Sequence, residues 1–430
     1  MIRKTDRIIA LPNRIYMLKP CTHSTIDLGR EDEEYNLYFA NFILPLLSDD
    51  EVQVRCDYGR NYGEFWRLNE FPKDVTKFPI TFTVYDGFGE HLATKTCTVE
   101  LCTENQASRN FCILPIGDSM TQAQQYLEHT AQKLNGIHFK GSRCFRGGIG
   151  HEGRGGFKTE DYVSKFQDPY APSPFLFPKG VSGKDYYGDQ TFWGHVTTDW
   201  ESNSYVYGGY HAIPLTDGIV YNRDGILYRR LNGVETIYNN APEWEFSFPK
   251  YMERYAIGPI DAVSVLLGTN DILDLHYDSM EKGICRVTEN FGVMIDSIRS
   301  YSKTLPILLN LPILCSADPF SFGRNFACAK TPREVRAVML HLIHAMLEKW
   351  ENSADPNLYI VPMNAVIHPT LAFAKEAYSN GKYFGERTVR IQDSVHPTRA
   401  GYAQMGDLLA ATVQKIRILH EAKCAPQETI

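Results

Sequence analysis

The stretch that most constrains this chain is residues 111–120, Phe-Cys-Ile-Leu-Pro-Ile-Gly-Asp-Ser-Met, an apolar run that stops abruptly at Gly-Asp-Ser. A short apolar run closed by a turn signal is the pattern of a strand buried on both faces of a parallel sheet. Residues 121–134 follow, rich in Gln, Ala, Glu and Leu, and predict a helix. Strand, tight turn and helix together set Ser119 at the carboxyl end of a sheet strand, where open α/β sheets hold their ligands. They also set the Ser119 amide near a helix N-terminus, where developing negative charge is stabilised.

The pattern differs on the two sides of this unit. Before it, residues 35–44 alternate apolar and polar, and 80–85 do so strongly (Ile-Thr-Phe-Thr-Val-Tyr). The turn Asp86-Gly87-Phe88-Gly89 and a returning strand over 91–101 complete a hairpin. A small β-sandwich domain over residues 1–104, immunoglobulin- or jelly-roll-like, is expected. The polar stretch 103–110 reads as a linker. After it, strands (111–116, 137–144, 262–267, 306–311, 358–363) alternate with helices (121–134, 280–302, 332–350, 398–420). That alternation predicts an α/β domain over 111–424, with a parallel sheet covered on both faces. Residues 166–256 break the alternation and concentrate Tyr-Gly, Pro and Trp, including Trp193, Trp200 and Trp244. They are too many for an ordinary connection and read as an inserted loop or β-rich subdomain.

Composition excludes several functions. With 43% hydrophobic and 22% charged residues in 430, the chain is an ordinary globular protein of two domains or one enlarged domain. A net charge of −7 gives no basic face for nucleic acid. No run approaches a membrane span, and no segment has the build of a signal peptide. A cytoplasmic location is expected, or secretion if a leader was removed. The ten cysteines are scattered without a CxxC pair and read as buried free thiols in a reducing compartment. His211, His276 and His368 lie near Asp residues but lack metal-ligand spacing, so neither metal nor other cofactor is predicted.

Four short blocks, far apart in sequence, carry the chemistry: Gly117-Asp118-Ser119-Met120-Thr121; the glycine-rich 147–157 (Gly-Gly-Ile-Gly-His-Glu-Gly-Arg-Gly-Gly-Phe); Leu267-Gly268-Thr269-Asn270-Asp271; and Asp393-Ser394-Val395-His396-Pro397. Each falls where a strand ends or a loop begins, so all four can meet at one edge of the sheet. A serine hydroxyl becomes a nucleophile when a base takes its proton, and neutral histidine is the base suited to neutral pH. Asp393 and His396, three residues apart, allow the carboxylate to orient the imidazole toward Ser119. The order Ser, Asp, His is that of a hydrolase triad, without the G-x-S-x-G elbow of α/β-hydrolases. The Ser119 amide, a glycine amide of the second block and the Asn270 side chain would supply three oxyanion donors.

In these blocks and their order the chain resembles the SGNH hydrolases, the GDSL esterase superfamily, over residue 111 to the end apart from the insertion. The resemblance implies a three-layer α/β/α, flavodoxin-like core and a serine esterase with Ser119, His396 and Asp393 as triad. It implies Ser119, Gly156 and Asn270 as oxyanion hole, although the small hydroxyl that usually follows the oxyanion glycine is shifted one place, to Thr159. An N-terminal β domain is similar to architectures among the carbohydrate esterases of this superfamily. The implied substrate is therefore a carbohydrate carrying short-chain acyl esters, acetyl foremost; a lipid-type acyl-ester or thioester hydrolase and a non-catalytic glycan-binding protein are the alternatives. The oligomeric state is left open.

Each residue also has a structural reading. Ser119 and Asp393 could be helix caps, and Asn270 a turn residue. His396, followed by Pro397, could simply open a helix. Asp118 and Asp271 are expected to serve turns or to support the motif residues. His151, Glu152, Arg154, Gly155 and Trp193 are candidates for substrate contact, with loop-holding ion pairs the equal reading for the charged three.

Overall fold

The computed structural model describes residues 7–20, 34–104, 107, 109–144, 147–164, 173–189, 196–199, 204–207, 217–223, 225–381, 383 and 385–424. The apolar run forms the strand Phe111–Gly117, buried at all but one of its residues. Beside it lie Ala262–Leu266 and Ile307–Asn310, both buried throughout, and then Leu358–Val361. All of these pair in parallel. On the other side, Ile137–Phe139 pairs with the start of Phe111–Gly117, and Gly150–Gly153 pairs with its last two residues. Numbered in chain order, the parallel strands run 2-1-3-4-5, the flavodoxin-like order.

The position expected to hold one strand over 137–144 is thus shared by two segments. After Phe139 the chain turns outward, Arg143–Cys144 pairs antiparallel with Gly150–Gly153, and the latter returns to the carboxyl end of the central strand. The helix expected over 121–134 is likewise split, into Ser119–Gln122 and Gln125–Lys133. Gln124 adopts φ +62° at the break. Its buried side chain donates to the Ile149 carbonyl at 2.9 Å, which holds a backbone conformation unfavourable for a residue with a Cβ. Met280–Tyr301 packs on Pro332–Trp350, and Gln125–Lys133 on Arg399–Cys424. Right-handed crossovers in this strand order put the two pairs on opposite faces of the sheet.

Ahead of the core, Arg14–Lys19, His91–Thr103, Lys77–Tyr85 and Glu51–Arg55 form one sheet, in that order. Tyr35–Tyr38, Phe65–Leu68 and Arg60–Asn61 form a second. Lys77–Tyr85 buries every other residue, as its alternation requires. Phe39, Phe42 and Phe82 pack edge to face beneath it. The buried residues of these sheets and of the parallel core run together into one hydrophobic cluster. The polar stretch that reads as a linker is clamped rather than free, because the last helix carries buried polar groups aimed at it. The Gln414 amide nitrogen lies 3.0, 2.9 and 3.1 Å from the carbonyls of Thr103, Glu104 and Ala107. Buried Arg417 donates to the Arg109 carbonyl at 2.7 Å.

Within 166–256, the described strands Val220–Arg223, Ile226–Leu231 and Val234–Asn239 form an antiparallel meander, edged in parallel by Tyr186–Asp189. Leu176–Pro178 pairs with Trp244–Phe246. The segment closes with a helix that the pattern did not suggest, Phe248–Tyr255, capped by Ser247. Phe175, Phe177, Phe248 and Tyr251 are buried here, so these aromatics are packing. Of the eight described cysteines, all free, Cys97, Cys102 and Cys315 are buried as expected. Cys144, Cys285 and Cys328 are exposed. Among the described residues no helix is long and apolar enough to cross a membrane.

Replacing Gln414 by Met keeps the side-chain volume but removes the donor that Gln414 supplies to the Thr103, Glu104 and Ala107 carbonyls. Urea unfolding of the whole chain is expected to show a loss of about 2 kcal/mol.

Candidate active site

Tight packing at the end of the central strand sets the geometry. A Cβ on Gly117 would fall 2.0 Å from Thr121 Oγ1 and 2.7 Å from the Leu266 carbonyl, so only glycine lets the turn close. Asp118, not Ser119, caps the short helix that follows: its Oδ1 accepts from the Met120 amide at 3.0 Å. The serine hydroxyl is thereby free of capping, and Ser119 Oγ lies 2.8 Å from His396 Nε2. His396 Nδ1 is 2.9 Å from Asp393 Oδ2. Asp393 Oδ1 accepts from the amides of Val395 and His396 at 2.7 and 3.1 Å. The loop is anchored next door, where the Ser316 amide donates to the Ser394 carbonyl at 2.7 Å and Ser394 donates to Asn325 Oδ1.

The electrostatics follow from these contacts. The hydrogen bond to Asp393 raises the His396 pKa above the ordinary histidine value; burial opposes it, and the charges of Asp393 and Asp118 add to it. Burial pushes the Asp393 carboxyl up, but the His396 bond and charge and two backbone amides outweigh it, leaving Asp393 below its usual value. Full burial pushes Asp118 up to about 7, against the Met120 amide bond and the His396 charge, which oppose it. Its Oδ2 has no partner among the described residues.

The second and third blocks are locked together beside Ser119. The Arg154 amide donates to the Gly117 carbonyl at 2.9 Å, and a Cβ on Gly155 would lie 4.0 Å from that of Ser119. The Gly155 amide is committed to Gln122 Oε1 at 2.6 Å. Gly156, at φ +77°, directs its amide to no acceptor among the described residues, and the Ser119 amide is likewise without one. Asn270 Nδ2 donates to the Phe157 carbonyl at 3.1 Å, which uses one of its two protons. Asp271 accepts from the Thr159 amide at 3.0 Å and from Thr159 Oγ1 at 2.6 Å, while Asn290 donates to the same hydroxyl at 3.0 Å. Lys158 pairs with Asp274. Burial pushes Asp271 up to about 6 despite the Thr159 bonds. Gly156 and Asn270 face a groove of about 570 Å³ whose wall includes Lys158, Asp274, Lys330 and Phe326.

The model of the GDSL-like lipase/acylhydrolase family matches residues 113–409, a span that takes in all four blocks. The chain is a member of that family. It is an SGNH hydrolase by the same match. Among solved structures it is similar to one described as a possible lipase from Chitinophaga pinensis, at 12% identity, covering 71% of this chain and 98% of that one, with a TM-score of 0.35. It is similar also to a carbohydrate acetylesterase family member from Sinorhizobium meliloti, at 13% identity and the same coverage, with a TM-score of 0.34. No curated protein matches the chain.

In this GDSL-family chain, three of the expected substrate contacts are not at the surface. His151, Glu152 and Arg154 are buried. Glu152 accepts from Tyr251 at 2.7 Å and from Arg154 at 3.2 Å. His151 Nδ1 accepts from the Gly153 amide at 2.9 Å. Burial, with the charges of Arg143 and Arg154 adding, depresses the His151 pKa to about 3 and keeps the ring neutral. The loop-holding reading is the one this geometry supports. Trp193 lies outside the described residues. Gln122, Thr159 and Asn290 were not singled out as site residues; the shifted hydroxyl at Thr159 was the one available signal.

NMR titration is expected to place the His396 midpoint above the ordinary histidine value, and Asp393→Asn to lower it. Thr159→Val removes two hydrogen bonds at Asp271 and Asn290. It is expected to cost about 1–3 kcal/mol in thermal unfolding and to speed amide exchange at Gly156 and Phe157.

Proposed function

We propose that this chain is a serine esterase that removes short acyl groups, acetyl foremost, from carbohydrates. The observation that carries the reading is the unbroken chain Ser119 Oγ–His396 Nε2–Asp393 at 2.8 and 2.9 Å, open to solvent at the carboxyl edge of the sheet. Neutral His396 takes the Ser119 proton as the oxygen adds to the ester carbonyl, and Asp393 stabilises the imidazolium that forms. The carbonyl oxygen gains negative charge and is met by the uncommitted amides of Ser119 and Gly156 and the second proton of Asn270 Nδ2. Each such donor is worth about 10²–10³ in kcat. Protonated His396 gives its proton to the leaving alcohol, an acyl-serine remains, and a water activated by the same histidine releases the acid. The commitment of the Gly155 amide to Gln122 supports Gly156 as the glycine donor.

The groove beside the oxyanion donors supports the carbohydrate assignment. It is larger than an acetyl group needs, and the ionic side chains of Lys158, Asp274 and Lys330 in its wall suit hydroxyl-bearing sugar better than a long acyl tail. The β-rich residues 1–104 act as a supporting domain for the hydrolase domain 111–424, with 166–256 an insertion in it.

Acetate release from acetylated xylan, mannan and pectin oligosaccharides, beside acetyl and octanoyl model esters, tests the reading. Wild type is expected to deacetylate a glycan and Ser119→Ala to be inactive, with Asn270→Ala slower by about 10²–10³ in kcat. Turnover of octanoyl esters without glycan activity would move the answer to lipid-type acyl hydrolysis. No turnover of any ester would leave the glycan-binding alternative.

A further inference from the structure

Away from the triad, a groove of about 770 Å³ lies between the Ile43–Leu44 region of the N-terminal residues and the first turns of the helix Pro332–Trp350. Leu44, Leu46, Ala337 and Leu340 line it, and two arginines, Arg333 and Arg336, share its wall. Arg336 is the unusual group. Nη1 donates to the Cys315 carbonyl at 2.7 Å, and Nη2 to the Ala40 carbonyl and Asn41 Oδ1 at 3.0 and 2.9 Å. Every acceptor is a neutral oxygen, and Nε has no acceptor among the described residues. Burial lowers the Arg336 pKa to about 10, with no carboxylate opposing it.

Arg336 is half-buried, and a cation drawn partly out of water is ordinarily paired with an anion. The location worsens the imbalance, because both arginines sit in the first turns of a helix, where the macrodipole favours negative charge. Glu334, between them, is engaged with His276 at 3.0 Å, and Arg333 makes no ion pair among the described residues. The one carboxylate among the lining residues, Asp49, is exposed. A strut between Asn41 and Cys315 explains the three hydrogen bonds of Arg336; a neutral amide would serve that purpose too, so the strut does not explain the charge.

We infer that this groove is a second, non-catalytic binding site for a single-chain aliphatic carboxylate, its head group on Arg333 and Arg336 and its chain along Leu44, Leu46 and Leu340. A carboxylate accepts from a guanidinium with charge-assisted bonds, and the chain covers Leu44 and Leu46, which are half-exposed above the buried Leu340. The site does not depend on the esterase reading, since it shares no residue with the triad or the oxyanion donors.

Calorimetric titration with decanoate tests it, with decanol as the tail alone and acetate as the head alone. Wild type is expected to bind decanoate, and decanol and acetate to bind about tenfold more weakly or not at all, a difference of about 1.4 kcal/mol. Arg333→Ala and Arg336→Gln are each expected to weaken decanoate by about tenfold. Ala337→Trp, which fills the groove, is expected to abolish binding. Thermal melting checks that each variant is folded; Arg333 is exposed, so its variant carries the test if Arg336→Gln unfolds. No binding of decanoate to wild type would overturn the assignment. So would equal binding by Arg333→Ala and Ala337→Trp, or decanol binding as tightly as decanoate.

Discussion

The closure of the chain at Gly117 is the constraint on which the rest of the site depends. The last residue of the central strand lies against Thr121 and the Leu266 carbonyl so closely that no side chain fits, and its own carbonyl accepts from the Arg154 amide. That one contact brings three blocks together: the serine turn, the end of the neighbouring strand Ala262–Leu266, and the glycine-rich loop. Tyr162 adds a second donor to the same carbonyl at 2.8 Å. Because the main chain does the joining, the positions of Ser119, Gly156 and Asn270 relative to one another follow from backbone geometry, which is stiffer than any side-chain arrangement.

Below this lies a layer of buried charge that the chemistry does not touch directly. Glu152 sits between Arg154, Tyr251 and the Ser142 amide, and Asp271 between the Thr159 amide and hydroxyl. These groups are expensive to bury and are tolerated because each is hydrogen-bonded on several sides. Asp118 is the exception, with one oxygen unmatched near His396.

What the sequence revealed divides along the range of the interactions. The strand at 111–116, the alternation of strands and helices, and the meeting of Ser119 with the Asp393–His396 pair were legible, because each rests on a local pattern: an apolar run, a period, a spacing of three. The fate of His151, Glu152 and Arg154 was not. The sequence left substrate contact and loop-holding ion pairs as equal readings, and the partner that buries Glu152, Tyr251, lies 99 residues later in the chain. The break at Gln124 was hidden for the same reason, since the buried acceptor that holds it, the Ile149 carbonyl, belongs to another segment. The polar stretch 103–110 misled in the opposite sense: the carbonyls of Thr103, Glu104, Ala107 and Arg109 are met by Gln414 and Arg417, about three hundred residues away, and no local signal announces such partners.

Those two residues lie beyond position 409, where the match to the family ends. The last helix, Arg399–Cys424, runs on past that position. The extra turns grip the start of the core strand and the sheet before it, through Gln414, Arg417 and the contact of Cys102 with the Ala411 carbonyl. A fragment trimmed to the family boundaries would lack both sides of this grip, Gln414 and Arg417 on the helix and the carbonyls of Thr103, Glu104, Ala107 and Arg109 that they meet. In this chain the part that the family shares is knitted at both of its ends to residues outside the shared span.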